Sequence, residues 1–263
     1  MEIVCPVWNH QKERFSKVIP LLADQGVTGV EIPLGSPDYF NHRDSNEVQL
    51  LMKACKISGI RITTIHSPFA QDCDISSLDD RIHENGVSSL LESIEFANIV
   101  DCDKIIVHAS DKIIDNRQKR LNRAKGVLKE MSIVALESNV NLAIENLPPE
   151  YLCNTYQEIL SIIKHIKSSA VSVCFDCGHA NMQGRFAENA QQLLPHSSVI
   201  HVHDNDGSED KHLFPGKGNI DWKSFWKEYK RIDCGASISL ECLPQPEESW
   251  MDAFQNIRHI FGA

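Results

Sequence analysis

The 263-residue chain has no long hydrophobic run. No stretch approaches the roughly 20 apolar residues needed to span a bilayer, which excludes a helical membrane protein. Its opening segment, MEIVCPVWNH, reads directly as a strand and lacks the pattern of a secretory signal. Basic residues are also scarce. Lys and Arg number 26 against 36 Asp and Glu, a formal charge of −10. Phosphate backbones are held by local positive potential, so this balance argues against nucleic acid as a partner. Linkers and low-complexity stretches are absent, which argues against two separate domains. The nine cysteines form an odd, scattered set that suggests no disulfide framework. They read as reduced thiols in the core of a cytoplasmic protein. Cys174 and Cys177 form a CxxC, but they bracket Asp176 at a strand end, so a redox role is the minor reading.

What is present is alternation. Strand-like segments fall at 2–8, 28–34, 60–67, 104–109, 141–147, 171–177, 198–204 and 236–243. Helical patterns lie between and after them, near 11–25, 45–58, 79–101, 117–138, 155–168, 187–195, 222–232 and 246–261. Thr155 and Pro246 suit helix starts, and Gly26, Gly59 and Gly235 suit helix ends. Strands and helices in strict alternation, eight of each, predict one (β/α)8 barrel over residues 1–263. Several strands also alternate internally. Ser237, Ser239 and Glu241 share one face of ASISLEC, Ala143 and Glu145 one face of NLAIENL, and His201 and His203 one face of VIHVHD. A barrel strand behaves this way, with an apolar face toward the helices and an inner face that turns polar near the catalytic rim.

That rim is where the chemistry collects. His66 ends IRITTIH, His108 follows KIIV, and Glu145 follows LAI. Asp176 and His179 form a DxxH, His201 lies in VIHVHD, and Glu241 lies in SISLE. A lone strand-end histidine is more often structural than functional. Acids and histidines at the C-terminal ends of six successive strands, however, would converge in a closed barrel, where active sites of this architecture sit. A carboxylate at Glu145 would be costly to bury unless paired or metal-bound. The segment HVHDNDGSEDKH adds Asp210 and His212 at DxH spacing, so both could reach one ion. Gly216 and Gly218 in PGKGNID permit a tight turn or a close approach to substrate, with a phosphate cradle as the weaker option.

The ordered set HSPF, VHAS, IENLP, FDCGHA, HVHDNDG, DKHLFPGKGNID and SLE resembles the xylose-isomerase-like, endonuclease-IV-like family of TIM barrels across essentially the whole chain. The resemblance implies two possible ligand sets. In the sugar-epimerase branch one divalent ion, Mn or Zn, is held at positions matching Glu145, Asp176, His201 and Glu241, and His179 contacts substrate. His203 is the alternative to His201. In the endonuclease branch His66, His108, His179, Asp210 and His212 join these four to hold up to three ions. The DNA-gripping basic loops of that branch have no counterpart in WNHQKE, GSPDYFNHRD or PFAQDCDISS.

The leading expectation is therefore a metal-dependent isomerase or epimerase of a sugar or sugar phosphate. Glu145 and Glu241 would move a proton off and onto the carbon α to a carbonyl, on opposite faces, through an enediolate. His66 and His108 would line the sugar pocket, Glu150 would hold far hydroxyls, and Trp8 would pack against the sugar. The alternative is a multinuclear zinc phosphodiesterase. Neither the particular sugar nor the oligomeric state can be read from these residues.

Overall fold

The computed structural model describes residues 3–7, 13–70, 72–113, 115–243 and 250–261. Eight parallel strands close into a barrel in chain order: β1 (Ile3–Pro6), β2 (Gly29–Pro33), β3 (Arg61–His66), β4 (Lys104–Val107), β5 (Asn141–Glu145), β6 (Val171–Asp176), β7 (Ser197–His201) and β8 (Ser237–Ser239). The β1–β8 pairing, with Ile3 opposite Ile238, completes the ring. Around it run α1 (Phe15–Asp24), α2 (Ser45–Ser58), α3 (Asp80–Val100), α4 (Arg117–Glu137), α5 (Tyr156–Ile166), α6 (Cys177–Met182), α7 (Phe186–Leu193), α8 (Trp222–Ile232) and α9 (Trp250–Phe261).

The helix ends follow local chemistry. Asp44, Asp79 and Thr155 cap α2, α3 and α5 by accepting first-turn backbone N–H groups. Gly59 ends α2 in the left-handed region at φ 67°, a conformation that costs glycine nothing. Among the described residues, the α-helix the sequence pattern does not predict is α6, about a turn and a half opened by Cys177 directly after β6. At six residues it is too short for hydrophobic periodicity to reveal. Its start is fixed instead by the Asp176 side chain, which accepts from His179 N. Pro246 lies outside the described residues.

The two faces of each strand separate as the alternation predicts. Leu142, Ile144, Ile200, Ile238 and Leu240 face outward into the large apolar layer under the helices. Inside the barrel, Ile106, Ala143, Cys174 and Val199 form a small closed cluster contributed by four consecutive strands. This apolar plug lies inside the barrel below the strand C-termini, where the site residues collect. Cys174 belongs to the plug and Cys177 to the outer layer, and burial pushes both thiols up. Both are free and fully buried, which fits structural thiols better than a redox pair.

Candidate active site and metal centre

Among the described residues, five acids and six histidines meet above the apolar plug. His201, at the end of β7, is fully buried. Its Nδ1 lies 3.1 Å from Glu145 Oε1, 3.1 Å from Glu241 Oε2 and 3.6 Å from Asp176 Oδ2. Its Nε2 faces the other way, 3.2 Å from Glu31 Oε2. Glu31, on β2, belongs to this centre although the sequence patterns did not single it out. A register shift between Val30 and Glu31 sets it opposite Thr64, whose Oγ1 donates to Glu31 Oε2 at 2.8 Å. The available signal was a lone acid within GVEIP, the same kind of apolar setting that marked Glu145.

Glu145 is shared between histidines. Its Oε1 faces His201, while its Oε2 lies 2.9 Å from His108 Nε2 and 3.4 Å from His66 Nε2. Burial would raise the Glu145 carboxyl, but the positive charge of His201 and the hydrogen bonds from His108 and His201 hold it well below the usual range. Burial likewise opposes ionisation of Asp176, and its histidine neighbours His179, His203 and His201 more than compensate. His179 responds in kind: burial works against its charge, yet Asp176, Asp210 and Glu145 push it up to about 10.

A second group flanks the first. His179 Nδ1 lies 2.9 Å from the Asn146 carbonyl, and its Nε2 lies 3.2 Å from Asp210 Oδ2. His212 Nε2 lies 3.1 Å from the same oxygen. His203 sits on the far side of Asp176, 3.1 Å from both of its oxygens, and stacks on His212 with centroids 4.1 Å apart. So both candidate histidines of VIHVHD reach the centre, but only His201 stands between Glu145 and Glu241.

Asp210 and His212 come from a long loop that is tied down at its base. The buried Asp204 carboxylate accepts from the backbone N–H groups of Asn205 (2.9 Å), Gly216 (2.8 Å) and Ile220 (3.3 Å), and from Trp222 Nε1 (2.8 Å). Gly216 thus spends its amide on Asp204. A side chain on Gly218 would lie 2.2 Å from Asp204 Oδ1 and from the Asn205 carbonyl. Gly218 is explained by this packing and Gly216 by its left-handed backbone at φ 88°, which leaves the phosphate-cradle reading of PGKGNID without support. His212 adopts φ 46°, held by its Nδ1 contact to the Glu241 carbonyl at 2.6 Å and by Leu243 N donating to its own carbonyl at 2.7 Å.

Of the remaining predicted positions, Glu150 lies in the loop after β5. It is exposed and pairs with Lys112 at 2.7 Å. Trp8 lies outside the described residues. Phe69, which the sequence patterns also missed, lies over His108 and His66 with centroids at 4.1 and 5.0 Å and remains 53% exposed.

The donors suit a divalent ion. One ligand atom from each of Glu145, Asp176, His201 and Glu241 lies within 4.8 Å of all the others. Mixed imidazole and carboxylate donors match first-row divalent metals, and this many acids in one buried place need cationic compensation. His66–His108–Glu145, Asp176–His179–His203 and His203–His212–Glu241 form further clusters of the same kind.

A closed parallel barrel with acids and histidines gathered at the C-terminal rim defines a class, and the family comparison agrees with it. The xylose isomerase-like TIM barrel family model matches residues 19–260, and the chain belongs to that family. An uncharacterized protein of Methanocaldococcus jannaschii is 29% identical over 192 residues, 67% of this chain and 63% of its own length. A D-psicose 3-epimerase of Enterocloster bolteae is 28% identical over 175 residues, 56% of each chain. The chain thus spans less than two thirds of the length of these relatives. The crystal structure of a D-tagatose 3-epimerase-like protein superposes with a TM-score of 0.88 at 23% identity, covering 100% of this chain and 97% of that one.

Proposed function

We propose that this protein is a divalent-metal-dependent epimerase or isomerase of a keto sugar. The observation that carries the reading is that Glu145, at the end of β5, and Glu241, just after β8, approach the same His201 nitrogen, each at 3.1 Å. Two carboxylates converging from different strands can serve opposite faces of one carbon, as proton exchange α to a carbonyl requires. The similarity to D-psicose 3-epimerase supports the same class. A divalent ion held by Glu145, Asp176, His201 and Glu241 would supply Lewis-acid polarisation of the substrate carbonyl.

The protein's own groups do the rest. Glu145 is kept ionised by its histidine neighbours, as a base must be. His108 holds its second oxygen and so fixes the plane of the carboxylate. Glu241 returns the proton from the other side. His179, anchored through Nδ1 on the Asn146 carbonyl, presents Nε2 toward the substrate space and Asp210. Glu145→Gln and Glu241→Gln should each abolish incorporation of solvent deuterium at the ketose α-carbon while leaving the circular dichroism spectrum unchanged. Full exchange in both variants would sink the assignment.

A second reading, a multinuclear phosphodiesterase, is favoured by the extra clusters at His66–His108–Glu145, Asp176–His179–His203 and His203–His212–Glu241. Metal analysis separates the two. One tightly held ion per chain fits the epimerase, while three ions together with hydrolysis of a phosphodiester fit the alternative.

A further inference from the structure

A cavity of about 710 Å³ opens beside the catalytic cluster. At ~30 Å³ per molecule it would hold about two dozen waters, roughly twice the heavy atoms of a free ketohexose. It meets the cluster only at its inner end, through His66, His212 and Glu241. From there it runs outward between the loop after β2 and the N-terminal half of α3. Pro37 and Phe40 line it on one side, and Asn85, Ser88 and Ser89 on the other. Phe69 stands at the junction of the two halves.

The described lining of the outer half mixes apolar side chains such as Pro37 and Phe40 with the neutral polar Asn85, Ser88 and Ser89. Arg43 is the one Lys or Arg among its described lining residues. Its Nε and Nη2 lie 2.8 and 2.6 Å from Glu92 Oε2, and His42 Nε2 lies 3.3 Å from the same oxygen. Asp72 adds a further negative group to the wall. A phosphate placed there would meet a cation already neutralised and a carboxylate that repels it. Amide and hydroxyl side chains beside an aromatic ring instead match a neutral sugar ring.

We propose that the substrate is an uncharged keto sugar carrying a second ring or a substituent of similar size, with the substituent seated in this outer half and Phe69 packed at the junction. This rests on the epimerase reading and specifies its substrate class: a glycoside-type ketose, neither a free monosaccharide nor a sugar phosphate.

The test compares D-fructose, D-fructose 6-phosphate and 6-O-glucosyl-D-fructose on the metal-loaded protein, by calorimetry and by solvent-deuterium exchange. The glucosyl ketose should bind about tenfold more tightly than fructose, and the phosphate ester should gain nothing, since a filled pocket of this kind discriminates on that scale. Ser89→Trp, which fills the outer half from a half-buried position on α3, should erase the ratio between glucosyl ketose and fructose. Equal binding of the two neutral ligands, preference for the phosphate ester, or a ratio untouched by Ser89→Trp would each overturn the proposal. Exchange from fructose with no glucosyl advantage would leave the epimerase reading standing and this one fallen. Tight glucosyl-ketose binding with no exchange would keep the subsite and remove the epimerase.

Discussion

Glu31 shows how a single side chain at the back of a centre can orient a histidine at its front. Its carboxylate lies against the far nitrogen of His201 and is itself held by Thr64. An acceptor at Nε2 fixes the proton there and leaves Nδ1 turned toward Glu145, Asp176 and Glu241. Carboxylate partners of this kind orient an imidazole and raise its basicity toward a metal. Glu31→Gln should therefore weaken binding of Mn or Zn by about 10- to 100-fold, measured by competition with a chelating dye, because such partners contribute on that scale. Wild-type affinity would show that the contact is only packing. The other predicted residues divide by the same physics. Positions at strand C-termini, such as His66 and Glu145, were legible because strand geometry alone aims them inward. Glu150 sits in a loop, where its direction depends on Lys112, a neighbour that sequence spacing cannot reveal.

Among elements, α6 and the loop after β7 decide the shape of the rim. Strand boundaries were readable to within a few residues from composition and period, since each strand buries an apolar outer face. The short helix was not, because its cause is one capping carboxylate rather than a repeating pattern. Gly178 in α6 is there for space. A Cβ at that position would lie 1.9 Å from His203 Cε1. Gly178→Ala should cost about 1–3 kcal/mol, the usual range for overpacking, and should displace His203 from Asp176. Chemical denaturation reads the first effect and histidine NMR shifts the second. A variant as stable as the wild type would mean that His203 has an equally good second position.

At the scale of the molecule, the barrel concentrates negative charge where it is most costly to bury. Glu31, Glu145, Asp176 and Glu241 are all at least nine-tenths buried around one point. An ion bound only by the folded state adds about 2.7 kcal/mol at a concentration 100 times its Kd. For a chain of this size each kcal/mol moves Tm by roughly 2–4 °C. Stripping the ion with a chelator should therefore lower Tm by about 5–10 °C, and Mn or Zn should restore it in differential scanning calorimetry. No shift with any divalent metal would argue that the histidines alone neutralise the acids.

What the amino-acid sequence determined by itself is the barrel, the strand ends and the inner face of each strand. These follow from alternation and burial, which are local and repeat along the chain. It also named most of the acids and histidines that converge, because a closed ring leaves strand C-termini nowhere else to point. Only the tertiary structure decided how those groups pair. It brought in Glu31 through a register shift, set His201 rather than His203 between the two glutamates, and paired Glu150 with Lys112. Such choices depend on contacts between residues as far apart as Glu31 and His201, and their energy comes from distances that no local pattern encodes.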